Sequence, residues 1–218
     1  MLVNLKQSLK ELTLAIHSTD DSFGFACRKN NNNNEVDTFF IKKFDKDLCN
    51  NLIVDFNDFI SKENLQKIKK ISVSIGPANF NASRMIVVLA RTLSQQFNCP
   101  LKSFSSFELM SKRIALSNNV FEENNSFWIY KKLKRKGFIA GKYEISVPIK
   151  KTKKLVITEK VIPNLIRELK NKEYNFQANF NDEEDLRELL NLSNQNTKIK
   201  KCNDWEKVLP LYPLSPIN

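Results

Sequence analysis

In the first half of the chain, apolar and polar residues alternate in a pattern that predicts an α/β fold. Short runs with apolar residues at every second position, or at every position, predict strands at 11–17, 22–29, 35–44, 69–75 and 101–105. Apolar residues recur every three or four positions over 46–60 and fill most positions of 81–97, which predicts two helices. Five consecutive asparagines, Asn30 to Asn34, separate the second and third strands and are typical of a hairpin loop.

The second half is less regular. Apolar runs predict short strands at 127–130, 138–145 and 155–157. Asn181 is placed to cap a helix whose first turn is acidic and whose buried side carries leucines, Leu186, Leu189 and Leu190. Polar residues interrupt the pattern between 108 and 125, so we predict two lobes, 1–110 and 111–218.

The most specific segment joins the strand at 69–75 to the helix at 81–97. The strand ends at Gly76, which can adopt a backbone conformation closed to other residues, and Pro77 fixes the next φ. Asn81 or Ser83 is predicted to cap the helix. A strand, a glycine turn and a helix are common in sequence, but the spacing Gly-Pro-x-x-Phe-x-x-x-Arg is more particular. It is formed by Gly76, Pro77, Phe80 and Arg84.

This spacing resembles the Gly-Pro-Gly-Ser-Phe-Thr-Gly-Leu-Arg signature of the TsaB (YeaZ) family, the non-catalytic partners in bacterial synthesis of threonylcarbamoyladenosine on tRNA. The positions that depart from the signature are Ala78, Asn79, Asn81, Ala82 and Ser83. Further similar elements follow in the family's order: the first strand and its turn at 12–19, a returning strand at 22–27, the segment 100–108, and the closing Pro210-x-Tyr212. Residues 120–200 match poorly.

The resemblance implies an actin/Hsp70/sugar-kinase-like (ASKHA) α/β fold with two lobes, the second smaller and divergent. It implies a scaffold and activator without an active site, cofactor or metal of its own. The implied partners are the catalytic paralogue TsaD, the small ATPase TsaE, a second copy when the chain is alone, and tRNA through the complex. Two helices would carry the interface, at Leu48, Leu52, Phe56, Met85, Val88, Leu89 and Thr92.

Apolar residues surround the predicted helix at 81–97 instead of forming one stripe. Such a helix is buried on more than one side. Two interpretations remain open: the helix is sandwiched inside its own domain, or one side packs on the sheet while another meets a partner.

The positive charge is concentrated in the second half. The chain has a net charge of +11, of which residues 111–218 contribute +8. One basic segment is a candidate contact for tRNA, because clustered basic residues release counterions on binding RNA. Its residues are Lys131, Lys132, Lys134, Arg135 and Lys136. The alternative is compositional drift, since the chain has 28 Lys against 7 Arg and is crowded with Asn.

The composition counts against catalysis by this chain alone. His17 is the single histidine, whereas a metallopeptidase-like site needs at least two histidines to hold its metal. We predict His17 to be a hydrogen-bonded turn residue. Only four glycines are present, which leaves few turns able to wrap a phosphate. The alternatives are an autonomous kinase or relic peptidase of the same superfold, or a stand-alone tRNA-binding module.

The remaining features predict a cytoplasmic protein. No apolar run is long enough to span a membrane, and the first residues do not resemble a signal peptide. Four widely spaced cysteines, Cys27, Cys49, Cys99 and Cys202, are expected to be reduced and mostly buried.

Overall fold

The computed structural model describes residues 11–30, 35–44, 48–120, 126–134, 137–146, 155–169, 174–194 and 205–213. These residues form two sheets and the helices that pack on them, as the α/β prediction requires. Among them, no helix has the length and apolar character needed to cross a membrane.

The first sheet has five strands in the order β3-β2-β1-β4-β5. The strands are β1 (Leu12–Ser18), β2 (Ser22–Asn30), β3 (Glu35–Lys43), β4 (Ile68–Ser74) and β5 (Leu101–Phe104). β1, β4 and β5 are parallel, while β2 runs antiparallel to β1 and to β3. The carboxyl ends of the three parallel strands therefore lie at one edge of the sheet.

One face of this sheet is covered by α1 (Leu48–Phe59) and α3 (Phe80–Phe97), and the short α2 (Lys62–Leu65) precedes β4. Alternate residues of β1 and β2 point to this face and are fully buried, among them Leu14, Ile16 and Phe25. The Phe25 ring meets Phe56 of α1 edge-on, with centroids 5.3 Å apart. This aromatic packing fixes α1 above the hairpin of β2 and β3.

The opposite face is covered by α5 (Asp182–Asn194), which comes late in the chain. The sheet presents small residues there, Ala15 and Ala26, so that the helix can approach closely. Gly24 is needed for the same reason, since a Cβ at this position would lie 2.9 Å from Leu186 Cδ1 and 2.8 Å from a backbone oxygen. The three leucines predicted to face inward are indeed fully buried.

The second sheet has four strands in the order β8-β7-β6-β9. They are β6 (Ser126–Lys132), β7 (Phe138–Ser146), β8 (Val156–Ile166) and β9 (Tyr174–Gln177). One face packs on α4 (Ser106–Ser117), which contributes Phe107, Met110 and Ile114 to a separate core. A single 3₁₀ turn (Trp205–Lys207) precedes the last described residues.

The sequence predictions for the first half agree with these elements, and those for the second half fall short. α4 and β9 were not predicted at all, and β8 is much longer than the predicted strand at 155–157. The division into 1–110 and 111–218 stays a prediction. Its boundary falls inside α4, and α5 and residues 208–211 pack on the first sheet although they come from the second half.

Two of the four cysteines are described with their side chains, and both are buried free thiols, as expected. Burial raises the pKa of Cys27 to about 12 and that of Cys99 to about 11. The side chain of Cys49 and all of Cys202 lie outside the described residues.

Candidate functional site

The turn between β4 and α3 is held by backbone hydrogen bonds to two other parts of the fold. Gly76 has a φ of 101°, and the peptide bond between Gly76 and Pro77 is cis. The Gly76 carbonyl accepts a hydrogen bond from the Ser106 backbone N–H (2.7 Å), and the Asn79 N–H donates to the Thr19 carbonyl (3.1 Å). The turn thereby joins the β1–β2 turn to the start of α4.

Asn79 caps the helix that follows. Its side-chain oxygen accepts a hydrogen bond from the backbone N–H of Ala82 (3.2 Å). The prediction that Asn81 or Ser83 would be the cap was therefore wrong. The helix begins at Phe80, one residue before the predicted start, so both predicted caps lie inside its first turn.

The closing Pro-x-Tyr segment packs against this same turn. The Leu211 N–H donates to the Ile75 carbonyl (2.7 Å), and the Tyr212 ring lies 5.2 Å from the ring of Phe80. On the same ring, the Arg84 guanidinium carbon is 5.3 Å from the centroid. Two segments that the sequence singled out separately, around Phe80 and Tyr212, are thus one aromatic and cationic cluster.

The outward surface of α1 and α3 carries aliphatic side chains that their own domain leaves exposed. Val88 on α3 is 60% exposed, and Ile53 and Val54 on α1 are 50% and 56% exposed. We call these three residues the interface patch. Thr92 is exposed one turn after Val88, and its hydroxyl donates to the Val88 carbonyl (3.0 Å).

Several residues predicted to meet a partner belong instead to the core beneath. Leu52 and Phe56 are 2% and 3% exposed, and Leu89 is 8% exposed, so none of them presents a surface to another protein. Met85 is half-buried against the same core, and the side chain of Leu48 lies outside the described residues. The physical reason is that the most regular apolar stripe of an amphipathic helix is the one that packs on its own sheet.

A buried polar cluster lies under α5 at the end of β1. His17 is 1% exposed, and its Nε2 is 3.9 Å from Asp185 Oδ2. Asp185 accepts hydrogen bonds from Arg113 (2.9 Å) and from the Asn181 backbone N–H (3.0 Å). Burial lowers the pKa of His17 to about 4 and raises the pKa of Asp185 to about 6. His17 is therefore neutral at pH 7.

His17 is not the hydrogen-bonded turn residue that the sequence predicted. It lies within β1, and neither ring nitrogen has a hydrogen-bond partner in the described part of the chain. The helix after Asn181 was predicted, but no sequence pattern indicated that it covers His17, because Asp185 and Arg113 come from elements far along the chain.

A second cluster joins α4 to the second sheet. The Ser105 hydroxyl caps α4 by accepting from the Glu108 N–H (3.0 Å) and donates to Glu159 (2.6 Å). The Tyr143 hydroxyl also donates to Glu159 (3.0 Å). Burial, and then repulsion from Glu159, raise the pKa of Glu108 to about 8. Sequence reasoning missed all four residues, since they come together only in the folded chain.

The lysines of the basic segment at the end of β6 differ in their contacts: one is paired with a carboxylate and two are exposed. Lys131 Nζ lies 2.6 Å from a carboxylate oxygen of Asp20 and so connects the second sheet to the β1–β2 turn. Lys132 and Lys134 are exposed. Arg135 and Lys136, the other two predicted tRNA contacts, lie outside the described residues. Across the described ranges, no three His, Cys, Asp or Glu side chains are close enough together to hold a metal ion.

Comparison with known proteins gives a structural likeness only. No family model matches the chain, and no curated protein matches it by sequence. Two solved structures from Pseudomonas aeruginosa resemble it along nearly its whole length. One is YeaZ itself, and the other is described as an uncharacterized protein with similarity to peptidase YeaZ.

For both structures the TM-score is 0.62 and the sequence identity is 13%. The match to YeaZ covers 93% of this chain and 99% of that one, and the match to the uncharacterized protein covers 94% and 100%. With the strand order of the first sheet, they confirm the predicted ASKHA-like α/β fold: this chain has the fold of YeaZ.

Proposed function

We propose that the chain is a non-catalytic scaffold and activating subunit. Its partner would be a catalytic TsaD-like paralogue that threonylcarbamoylates the adenosine next to the anticodon of tRNA. The observation that carries the proposal is the interface patch, formed by Ile53, Val54 and Val88 on two helices of a chain with the fold of YeaZ. A TsaE-like ATPase would be the third protein of the complex.

The exposure of these aliphatic side chains favours a protein partner. A single exposed aliphatic residue is ordinary, but α1 and α3, which cover the same face of the first sheet, expose three between them, and water solvates such side chains poorly. Because about half of each side chain is already buried, completing the burial of each one would contribute on the order of 1 kcal/mol. Val88 also belongs to the exposed side of α3 that includes Phe80, Arg84 and Thr92, at the four-residue spacing that allows one helix to pack along another.

The helix that carries Val88 is rigidly placed, which suits a scaffold. Its first turn is capped by Asn79, and its last turn ends at Asn98 in the left-handed conformation. Its opposite side is buried on the first sheet through Ile86, Leu89 and Leu93. A surface that is already ordered loses little conformational entropy on binding. The subunit would therefore stabilise and orient its partner instead of rearranging around it.

The test is light scattering after size-exclusion chromatography of the chain mixed with the TsaD-like paralogue of the same organism. We expect a mixed species with the wild-type chain and separate elution of the two proteins with Val88→Glu. A charge at this position would be buried unpaired in the complex but solvated in the free chain, so the variant should fold normally. Circular dichroism and the thermal unfolding midpoint would check the fold.

Leu116→Glu is the matched control, because Leu116 is an exposed aliphatic residue on α4, away from α1 and α3 (47% exposed). This variant should retain the mixed species. Complex formation by Val88→Glu would contradict the assignment of the interface. Separate elution of the wild-type proteins would contradict the proposed partnership itself, and a dimer of the chain alone would point to a second copy as the occupant.

A further inference from the structure

The second sheet has one face that α4 does not cover. In β6, Phe127 and Ile129 point into the core beneath α4, so the alternate residues Trp128 and Tyr130 point to the opposite face. The register of β7 places Lys142 directly beside Trp128 on this face. Phe138 lies on the same face, beside Lys132. We call Trp128, Tyr130, Phe138 and Lys142 the outer platform.

The rings of the outer platform are ordered but not hidden. All four side chains are half-buried. Lys142 Nζ is 5.7 Å from the centroid of the Trp128 ring, and the Tyr130 and Phe138 rings meet edge-on with centroids 5.6 Å apart. Two central strands therefore present aromatic surface on a rigid backbone, the arrangement on which unpaired nucleobases stack in sheet-based RNA-binding proteins.

The charge beside the platform is positive. Lys132 and Lys134 continue from β6 at the Phe138 end, both are exposed, and no ion pair joins either of them to a carboxylate among the described residues. The acidic residue on the same face, Glu144, is paired with Lys160 (2.8 Å). Aromatic surface flanked by unneutralised lysines complements a ligand that has both flat rings and phosphates.

We propose that the outer platform binds an unpaired segment of RNA, with bases stacking on Trp128 and Tyr130 and phosphates contacting Lys132 and Lys134. A double helix fits less well, because its bases are already stacked within it and leave only phosphates to contact. The choice of RNA over single-stranded DNA rests on the proposed function, which brings this chain to tRNA. Binding itself needs no other protein.

The chain contains two tryptophans, and this allows the site to be tested directly. Trp128 lies on the platform. Trp205 packs against α3 and the core of the first sheet, and the guanidinium carbon of Arg91 lies 5.5 Å from its ring centroid. Both are half-buried beside a cation, so they are well matched as reporters. Trp205→Phe leaves only the platform reporter, and Trp128→Phe leaves only the control.

Each single-tryptophan variant is titrated with an unstructured RNA of about 12 nucleotides, within the site sizes of single-strand binders. We expect the RNA to quench the Trp205→Phe variant and to leave the emission of the Trp128→Phe variant unchanged. Replacing Lys132 and Lys134 with Gln should weaken binding. It should also reduce the slope of log K against log salt concentration by about 1.4, or about 0.7 for each phosphate that a lysine no longer neutralises.

Three results would overturn the proposal. They are equal quenching of both reporters, no quenching of Trp128 at low salt, and binding of duplex RNA as tight as that of the single strand. A DNA oligomer of the same sequence that bound more tightly would overturn the choice of RNA. Because the titration uses the chain alone, its failure would leave the partnership with the paralogue untouched.

Discussion

Five phenylalanine rings, three buried and two half-buried, pack between the first sheet and the helices α1 and α3, whereas ionisable side chains are buried between the same sheet and α5. The rings belong to Phe23, Phe25, Phe40, Phe56 and Phe59. The other face carries His17, Arg28 and Asp185, each 5% exposed or less. Aromatic packing tolerates small shifts in position, but buried charged groups must be paired in one geometry. The face under α5 therefore combines leucine packing with paired ionisable groups, whereas ring packing dominates the other face.

On the outer surfaces of the helices the order is reversed: the helices over the aromatic face expose aliphatic side chains, and the helix over the ionisable face exposes charged ones. α1 and α3, which pack on the aromatic face, present the aliphatic interface patch to the outside. α5, which covers the ionisable face, presents polar residues that pair with one another. Arg187 contacts Glu183 (2.8 Å) and lies 4.8 Å from the centroid of the Phe39 ring. Among the described helices that pack on this sheet, α1 and α3 therefore expose large apolar side chains, whereas α5 exposes none.

The largest expected effect distinguishes the two sides of α1. Leu52→Ala should lower the free energy of unfolding by about 2 to 5 kcal/mol, because it opens a cavity beneath the helix. The adjacent residue Ile53 is 50% exposed, so Ile53→Ala should change the free energy by no more than about 0.5 kcal/mol. Urea unfolding followed by circular dichroism measures both. Equal effects would mean that the outward and inward sides of α1 have been misassigned.

The next effect tests the ionisable face. Asp37 forms two hydrogen bonds with Arg28 (2.7 and 2.8 Å), and Arg28 retains a second partner in Glu35 (3.1 Å). Asp37→Ala should lower the free energy of unfolding by about 2 to 3 kcal/mol, since it leaves a buried guanidinium poorly paired.

The control for this prediction is the ion pair on the aromatic face. Lys42 contacts Asp55 (3.0 Å) with its own side chain 33% exposed, so Asp55→Ala should change the free energy by less than about 1 kcal/mol. Asp37→Ala and Asp55→Ala variants of similar stability in urea would remove the contrast between the two faces.

The smallest effect is a dependence on pH. The folded state keeps Glu108 protonated up to a pKa of about 8, whereas the unfolded chain releases the proton near 4.5, so this residue makes the protein less stable as pH rises between those values. His17 and Asp185 act in opposite directions between about pH 4 and 6.5. The interval from 6.5 to 8 is left to the cluster of Glu108 and Glu159, since burial raises the pKa of Glu159 as well. Across it we expect a loss on the order of 1 to 2 kcal/mol.

Glu108→Gln should remove most of the slope over this interval in thermal or urea unfolding, and Glu159 accounts for what is left. Phe59→Leu, on the aromatic face, should lower stability equally at every pH and leave the slope unchanged. A slope that survives Glu108→Gln would assign the pH dependence to another group.

The elements that were predictable are those with one buried stripe or a clear alternation. α1 has such a stripe and the strands of the first sheet alternate, and their limits were found within a few residues. α4 has apolar residues at Phe107, Met110 and Ile114, yet it was missed, since the polar residues between 108 and 125 indicated a boundary between two lobes. β8 was predicted too short because Glu159 and Pro163 interrupt its apolar pattern, and both are accommodated by contacts with other elements.

For the candidate site, the sequence located the turn at Gly76 and the exposed Val88, but it reversed the role of Leu52 and Phe56. Periodicity reveals which residues share a side of a helix and leaves open what covers that side. The pairing of Phe80 with Tyr212 was equally out of reach, because it joins two segments far apart in the chain.

The return of the last elements to the first sheet bears on how the chain is made. The sheet is formed by strands between Leu12 and Phe104. Its ionisable face is covered only after α5 has been synthesised, and the turn at Gly76 gains its last contacts only from residues 208–212. During synthesis, His17 and Arg28 both stay in contact with water until most of the chain has left the ribosome. Until then His17 lacks Asp185 of α5, and Arg28 has only Glu35 and Asp37 of its own hairpin as partners. Contacts of such long sequence separation slow folding, and they make the exposed sheet of a nascent chain a natural substrate for chaperones.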